Sequence, residues 1–514
     1  MVLERLLVVK VPLWLKYGNN GKNRDMVRAC IALSNGGKAL KSRLALCALA
    51  CLLTLGRIVP TAAEGLSLSR PADGAHGRPF TSSLADLTAA GYIEEEFFLE
   101  GTAGAYRPAT ALASDGRWTI AASGSAPFKT RILVRRPKDP AKFNGTVVVE
   151  WLNVSGGFDV DAEWGYAYPE LMRDGFAWVG VSAQRAGVMG PPLRAGFSQP
   201  LTLWDPARYG SLSIPNDDFS YDIFSQAARA VGAHRARADI DPLGGLSPAR
   251  LIGVGVSQSA NRLTTYVDAV QPQAHVLDGI LIGSRIGARG GAAPLSADAQ
   301  MPDIVRIRDD LKIPVFVTET ESDVATEAPA RTPDSDKLRL WEVAGTAHQN
   351  QWADAYFGAE IKRDLGVSGL GGCKSPVNDL PTQHVARAAI HLLDIWIRTG
   401  KAPPTAPSIS VSLDGEGRAT IARDKAGNAL GGLRLPELEV AAARYGGVGD
   451  PPDLCRLEGV AIPFDKTTLE TLYPTHEIYV AKISAAVAAA EKAGYLLPPE
   501  GAEEIAKAGS ASIP

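Results

Sequence analysis

Residues 251–261 read Leu-Ile-Gly-Val-Gly-Val-Ser-Gln-Ser-Ala-Asn, and this stretch decides the fold. Leu251–Val256 is an apolar run of strand character, and Ala260–Val270 continues as a helix without Gly or Pro. Ser257 therefore stands at the tip of a sharp strand-to-helix turn, with a small residue two places to either side. The demand on those neighbours is steric: a serine held in a strained backbone leaves no room for side chains at positions 255 and 259. Gly255 meets that demand fully. Ser259 stands where a second glycine is usual, and it is nearly as small. The pattern predicts Ser257 as a nucleophile; an ordinary polar strand end is the competing reading.

A chain of 514 residues, 46 % hydrophobic and 21 % charged, has ample material for a core. A net charge of −3 gives no electrostatic reason to expect nucleic acid as a partner. With 52 glycines and 35 prolines the chain has many connections, which suits a site built from loops. Neither a CxxC pair nor a Cys/His cluster has zinc spacing, so no metal or cofactor is expected.

Lys38, Lys41 and Arg43 precede the apolar run Leu44–Leu55, and small residues follow around Ala62-Ala63. Basic, apolar and small, in that order, is the pattern of a secretory signal. We therefore expect residues 1–63 to be an N-terminal extension and signal peptide; a true start downstream, for example at Met26, is one explanation for the long stretch ahead of the signal. After cleavage the protein would be exported, to a periplasm or outside the cell, with no stable membrane insertion. An uncleaved anchor is the alternative. Export would leave Cys373 and Cys455 as the only pair in an oxidising compartment, which predicts one disulfide; two separate buried thiols are the other possibility.

Along the body, Glu96–Gly101 and Phe128–Arg136 alternate as half-buried antiparallel strands do. Gly145–Asn153, Phe176–Ser182, Leu251–Val256, Val276–Gly283, Ile313–Thr318 and Leu338–Val343 complete eight strand candidates. Helical stretches at Tyr166–Asp174, Asp222–Ala236 and Ala260–Val270 alternate with them. The expectation is an α/β fold: a doubly wound, mostly parallel sheet of about eight strands in a single domain over residues 80–505.

A nucleophile on such a turn is completed by an acid after a later strand and a histidine after the last one. Of seven histidines, only His348 lies just past a strand, in the small-residue loop Ala344-Gly-Thr-Ala-His. Asp323, five residues beyond the strand at 313–318, is the expected acid, with Glu321 the alternative. Alternation would place Glu319, Glu321 and Asp323 on one side. The oxyanion of a tetrahedral intermediate needs two backbone N–H donors. Gln258 is expected to supply one, and Asn153 or Val154, ahead of Gly156-Gly157, the other.

The stretches Gly145–Gly157, Trp178–Gln184, Phe219–Gln226, Gly255–Ser259 and Thr318–Asp323, with tail elements around Cys373, Trp396 and Tyr473, resemble a family of large, exported α/β-hydrolase-domain proteins. The resemblance covers roughly residues 80–505 and implies an α/β-hydrolase fold and serine-esterase-like chemistry. It supplies no substrate.

The chain continues for over a hundred residues past the helix expected at Val385–Ile397. Ile409–Leu413 and Ala419–Arg423 read as a hairpin, and Tyr479–Ala493 as a terminal helix. With the insertions Gln184–Phe219 and Ser284–Asp310, this extension is expected to cap the site, with Trp164, Trp204, Tyr209 and Phe219 as candidate pocket walls or plain core. Two functions remain at this point. One is a serine hydrolase of a carboxylic ester, with amidase, lactonase and acyltransferase as relatives of the same chemistry. The other is a catalytically silent envelope binding protein on a hydrolase scaffold.

Overall fold

The computed structural model describes residues 65–190, 198–235, 239–287, 290–367, 373–415, 419–451 and 453–514. The expected signal segment and Met26 lie outside the described residues. No helix among the described residues is long and apolar enough to cross a membrane. Residues 63–514 form one compact unit.

The sheet begins with β1 (Ser67–Ser69), β2 (Tyr92–Pro108) and β3 (Ile120–Pro137), paired antiparallel. Next come β4 (Thr146–Trp151), helix α1 (Ala162–Arg173), β5 (Ala177–Val181), helix α2 (Ser220–Ala230) and β6 (Arg250–Val256). Helix α3 (Gln258–Thr265), β7 (Gly279–Gly283), β8 (Val315–Thr320), helix α4 (Glu321–Glu327) and β9 (Leu338–Val343) complete it. The spatial order is β1-β2-β3-β5-β4-β6-β7-β8-β9, parallel from β5 onward. This is the α/β-hydrolase fold, with nine strands rather than about eight because the three-residue β1 adds an edge. The antiparallel strands are far longer than the alternation suggested. Their small-residue stretches, such as Thr102–Ala105 against Gly124–Pro127, carry no apolar signal, but each strand is the other's partner.

The central strands are buried on both faces, which is why β4 reads Thr-Val-Val-Val-Glu-Trp without polar alternation. One face packs Val147, Val149, Ile280 and Val317 against α2 and α3. The other packs Val148, Ile252, Phe316 and Trp341 against α1 and the later helix at Thr382–Thr399. Glu150, the one acid in β4, accepts N–H bonds from Glu163, Trp164 and Trp178 Nε1 at 2.8, 3.0 and 2.9 Å. It thereby supplies the orphan amides of the first turn of α1, whose own cap residue Asp161 makes no side-chain cap bond.

Beyond β9 lie helix α5 (Gln351–Leu365), helix α6 (Thr382–Thr399), the hairpin β10 (Val411–Leu413) and β11 (Ala419–Ile421), and β12 (Ala443–Gly446). The chain ends with helix α7 (Asp453–Glu458), β13 (Val460–Pro463) paired to β12, helix α8 (His476–Ala493) and helix α9 (Pro498–Ser510). Helix α5 was not expected, yet its ends carry legible signals. Asn350 Oδ1 accepts from Ala353 N at 3.0 Å, and Gly366 closes the helix at φ 70°.

Trp164 and Tyr209 are fully buried and Trp204 is 8 % exposed, so all three are core; Phe219 packs against that core. The insertions that contain 217 and 293 brace α3: Asp217 pairs with Arg262, and Ala293 N donates to Asn261 O at 3.0 Å.

His391 of α6 joins α1 through Nδ1, 2.8 Å from both Glu170 Oε1 and Asp174 Oδ2. Hydrogen bonds to Asp174 and Glu170 outweigh desolvation and raise the imidazole to about 9. The folded value lies above the unfolded value of about 6.5. Its stabilisation is therefore complete below that pH and is lost as pH rises through about 9. His391→Gln should lower stability by about 1 kcal/mol at pH 6, allowing for solvent screening. The difference from the parent should vanish in urea titrations at strongly alkaline pH.

Candidate active site

The parallel strands place their carboxyl ends along one rim, and the order of the chain reverses between β4 and β6, where a crevice opens in such sheets. Ser257 stands there, directly after β6, at φ 62° and ψ −122°. Three sets of contacts hold this unfavourable backbone. Ser257 N donates to Gly283 O at 2.9 Å, tying the turn to the end of β7. Asn153 Nδ2 donates to Val256 O at 3.0 Å. Ser259 accepts from Val256 N at 3.0 Å and donates to Val256 O at 2.9 Å. A Cβ on residue 255 would stand 3.0 Å from the carbonyl carbon and oxygen of Ser259, tighter than an ordinary contact, so any side chain there would push the turn apart by a few tenths of an ångström. The serine in place of the second glycine is thus a fully buried clamp on the turn.

His348, in the loop after β9, places Nε2 2.9 Å from Ser257 Oγ and Nδ1 2.7 Å from Asp323 Oδ1. A carboxylate can only accept, so Nδ1 carries the proton and Nε2 is free to accept from the Ser257 hydroxyl. The second oxygen of Asp323 accepts from Thr320 N at 3.0 Å and Thr320 Oγ1 at 2.6 Å, a capping box that locks the carboxylate at the start of α4. Glu321 is two residues away but turned elsewhere: Oε2 accepts from Gly345 N at 2.8 Å and Oε1 from Arg423 Nη2 at 2.7 Å. The expected alternation fails because β8 ends at Thr320. Beyond it the helical period separates Glu321 from Asp323, while Glu319, still on the strand, pairs with Arg285 at 2.7 Å.

On the oxyanion side the two residues expected as second donor part ways. Asn153 N is spent on Val160 O at 2.9 Å, so its backbone is unavailable and its contribution is the side-chain bond to Val256. Val154 N points at Gln258, 3.4 Å from Oε1, beyond an ordinary hydrogen-bond length. Gln258 opens α3, and first-turn amides have no acceptor within their own helix. Its side chain is held by Gln184, which accepts from Gln258 Nε2 at 2.9 Å and from Trp151 Nε1 at 3.0 Å. This Gln258–Gln184–Trp151 chain was not foreseen; no local spacing links residues so far apart in sequence.

A narrow crevice beside the turn is lined by Tyr166, Val256, Ser284, Thr320, Val385 and Glu163. Its aromatic wall is Tyr166, not any of the four expected aromatics. Burial raises the Glu163 carboxyl to about 8, and Glu319, paired with Arg285, lines the same crevice. Two sets of metal-type donors converge elsewhere among the described residues, Glu170 with Asp174 and His391, and Cys373 with Cys455 and Glu458. In the first, one imidazole nitrogen is already shared by two carboxylates. In the second, the sulfurs are bonded to each other, with Cα atoms 5.5 Å apart.

The family model described as "Alpha/beta hydrolase domain" matches residues 68–506. The chain belongs to this family. No curated protein matches it. Among solved structures, it is similar to a serine hydrolase of Xanthomonas campestris described as lacking a lid, with 13 % identity and a TM-score of 0.27 over 46 % of this chain and 88 % of that one. It is also similar to acetyl xylan esterase 1 of a Thermoanaerobacterium species, with 10 % identity and a TM-score of 0.27 over 54 % and 80 %. A third similarity is to EstA of Aspergillus niger, with 13 % identity and a TM-score of 0.20 over 31 % and 28 %.

Ser259→Ala removes the acceptor of the buried Val256 N–H, which should cost about 1–3 kcal/mol. Urea denaturation measures that loss. Labelling of Ser257 by a fluorophosphonate should slow in the same variant, since the turn that presents the hydroxyl loosens.

Proposed function

We propose that this protein hydrolyses small carboxylic esters through an acyl-enzyme formed on Ser257. The observation that carries the reading is the unbroken chain from Asp323 through His348 to Ser257, with bonds of 2.7 and 2.9 Å. Ser257 Oγ attacks the ester carbonyl while its proton passes to His348 Nε2. Asp323 keeps the imidazole in the required tautomer and stabilises the imidazolium. The tetrahedral oxyanion is met by the N–H groups of Gln258 and Val154, and each such donor contributes about 10²–10³ in rate. Collapse expels the alcohol, which takes the proton from Nε2. Water, deprotonated by the same nitrogen, then attacks the acyl-enzyme and releases the acid and the free serine. Membership of the hydrolase family supports this chemistry. The Cys373–Cys455 bond supports export to an oxidising compartment.

Two experiments test the reading. Ser257→Ala should abolish fluorophosphonate labelling and lower hydrolysis of p-nitrophenyl esters by about a thousandfold or more. Stoichiometric labelling of that variant at Ser259 would refute it. Asp323→Asn should lower kcat by about 10³–10⁴ with little change in KM, because an amide favours the wrong tautomer. A near-parental kcat in this variant would remove Asp323 from the mechanism.

A further inference from the structure

Glu321 and the C-terminal extension meet at the histidine loop in a way the hydrolase mechanism does not use. The connection between β12 and β13 carries Gly447, Cys455, Leu457 and Glu458. Leu457 O accepts from Gln349 N, the residue after His348, at 2.8 Å. Gly447 N donates to Glu321 Oε1 at 3.2 Å, while the other oxygen of Glu321 holds Gly345 N. Asn378 joins the two parts. Its Nδ2 donates to Gly345 O at 2.7 Å and to Gly446 O at 3.2 Å, its N donates to Glu458 O at 3.1 Å, and its O accepts from Gln351 N at 2.9 Å. The packing is close enough that a Cβ on residue 447 would lie 2.5 Å from Ser322 N and 2.9 Å from Thr346 O. One connection thus presses on both the loop that carries the acid and the loop that carries the histidine.

The disulfide closes this arrangement. Cys455 is two residues before Leu457, Cys373 is five before Asn378, and the bond spans a sequence separation of 82. Cys455 is buried, 2 % exposed. Glu321, Asn378 and Leu457 each fix backbone on one side or the other of His348. The imidazole must keep both of its hydrogen bonds at once, and a misplacement of about 1 Å costs on the order of 10²-fold in rate. Single backbone bonds of about 1 kcal/mol each hold such a loop weakly once its ends are free.

Resting on the hydrolase reading, we propose that the disulfide-closed β12–β13 connection positions His348, with Glu321 and Asn378 as positioning residues, so that turnover depends on the Cys373–Cys455 bond. The test compares oxidised protein, protein reduced with dithiothreitol, the Cys373→Ser/Cys455→Ser variant, and Glu321→Gln with its disulfide intact. All are assayed well below their melting temperatures, with folding checked by circular dichroism. The thiol-state samples should lose roughly ten- to hundredfold in kcat with KM almost unchanged. Glu321→Gln should lose roughly tenfold in kcat and less than Asp323→Asn. The downfield Nδ1 proton resonance of His348 should broaden or vanish in the same samples. A purely stabilising bond would lower the melting temperature and leave kcat and that resonance in place. Folded, reduced protein with parental kcat and resonance overturns the proposal. Should the thiol-state samples unfold, Glu321→Gln decides alone, and a parental kcat there overturns it equally. Oxidised parent that takes no fluorophosphonate label defeats the hydrolase reading itself, and the proposal with it.

Discussion

Everything at the rim of the sheet depends on one strained residue. Ser257 holds φ 62° and ψ −122°, a backbone state that costs on the order of 1–3 kcal/mol and survives only where its surroundings over-determine it. They do so from three directions: the end of β7 through Gly283 O, the loop after β4 through Asn153, and the helix itself through Ser259. The same contacts bring together the pieces from which a reactive site can be built. The loop that anchors Val256 also carries the Val154 N–H, and the turn that strains Ser257 also opens α3 at Gln258.

Around this rim the protein buries charged pairs that work as spacers. Arg131 meets Asp159 Oδ2 at 2.9 Å, Ser182 Oγ at 3.0 Å and Phe80 O at 2.8 Å, all fully enclosed. Arg135 lies against the rings of both Trp164 and Trp178, 4.6 and 4.3 Å from their centroids, and pairs with Asp161 and Glu94. Desolvation opposes the charge on Arg135, but Asp161 and Glu94 overcome it and hold the guanidinium well above its usual range. Such pairs add little net stability against an apolar core, while removing one partner costs several kcal/mol. Their value here is geometric. They fix residues 159–161, which carry the loop after β4 back to α1, against β3.

The tail departs most from what a hydrolase core requires. Its β12–β13 connection packs against the acid and histidine loops, with Glu321 as one point of contact. Helices α8 and α9 share an apolar cluster of their own, and Glu500 of α9 pairs with Arg173 of α1 and Arg387 of α6. A carboxylate two residues from Asp323 competes with it on paper for the imidazole. In the fold it is spent on two backbone amides and Arg423, which leaves the imidazole to Asp323.

What the sequence determined alone was local. The turn at Gly255-Val-Ser-Gln-Ser259 spans five consecutive residues, and its steric demand is written in their side-chain sizes. The parallel sheet was legible because buried strands such as Thr146–Trp151 must be apolar on both faces. His348 was legible because a small-residue loop followed a clear strand. Tertiary structure decided whatever depends on partners distant in sequence. Asp323 and Glu321 both follow β8, and only the point at which extended chain becomes helix turns one toward His348 and the other toward Gly345. Asn153 and Val154 are neighbours, and only the bond to Val160 distinguishes them. The small-residue stretches of the long antiparallel strands, such as Thr102–Ala105 and Gly124–Pro127, carry no apolar signal, because each is stabilised by a partner that a linear reading cannot see. Cys373 and Cys455 could be paired by elimination, but their place under the histidine loop follows from how β12 and β13 fold back beneath it.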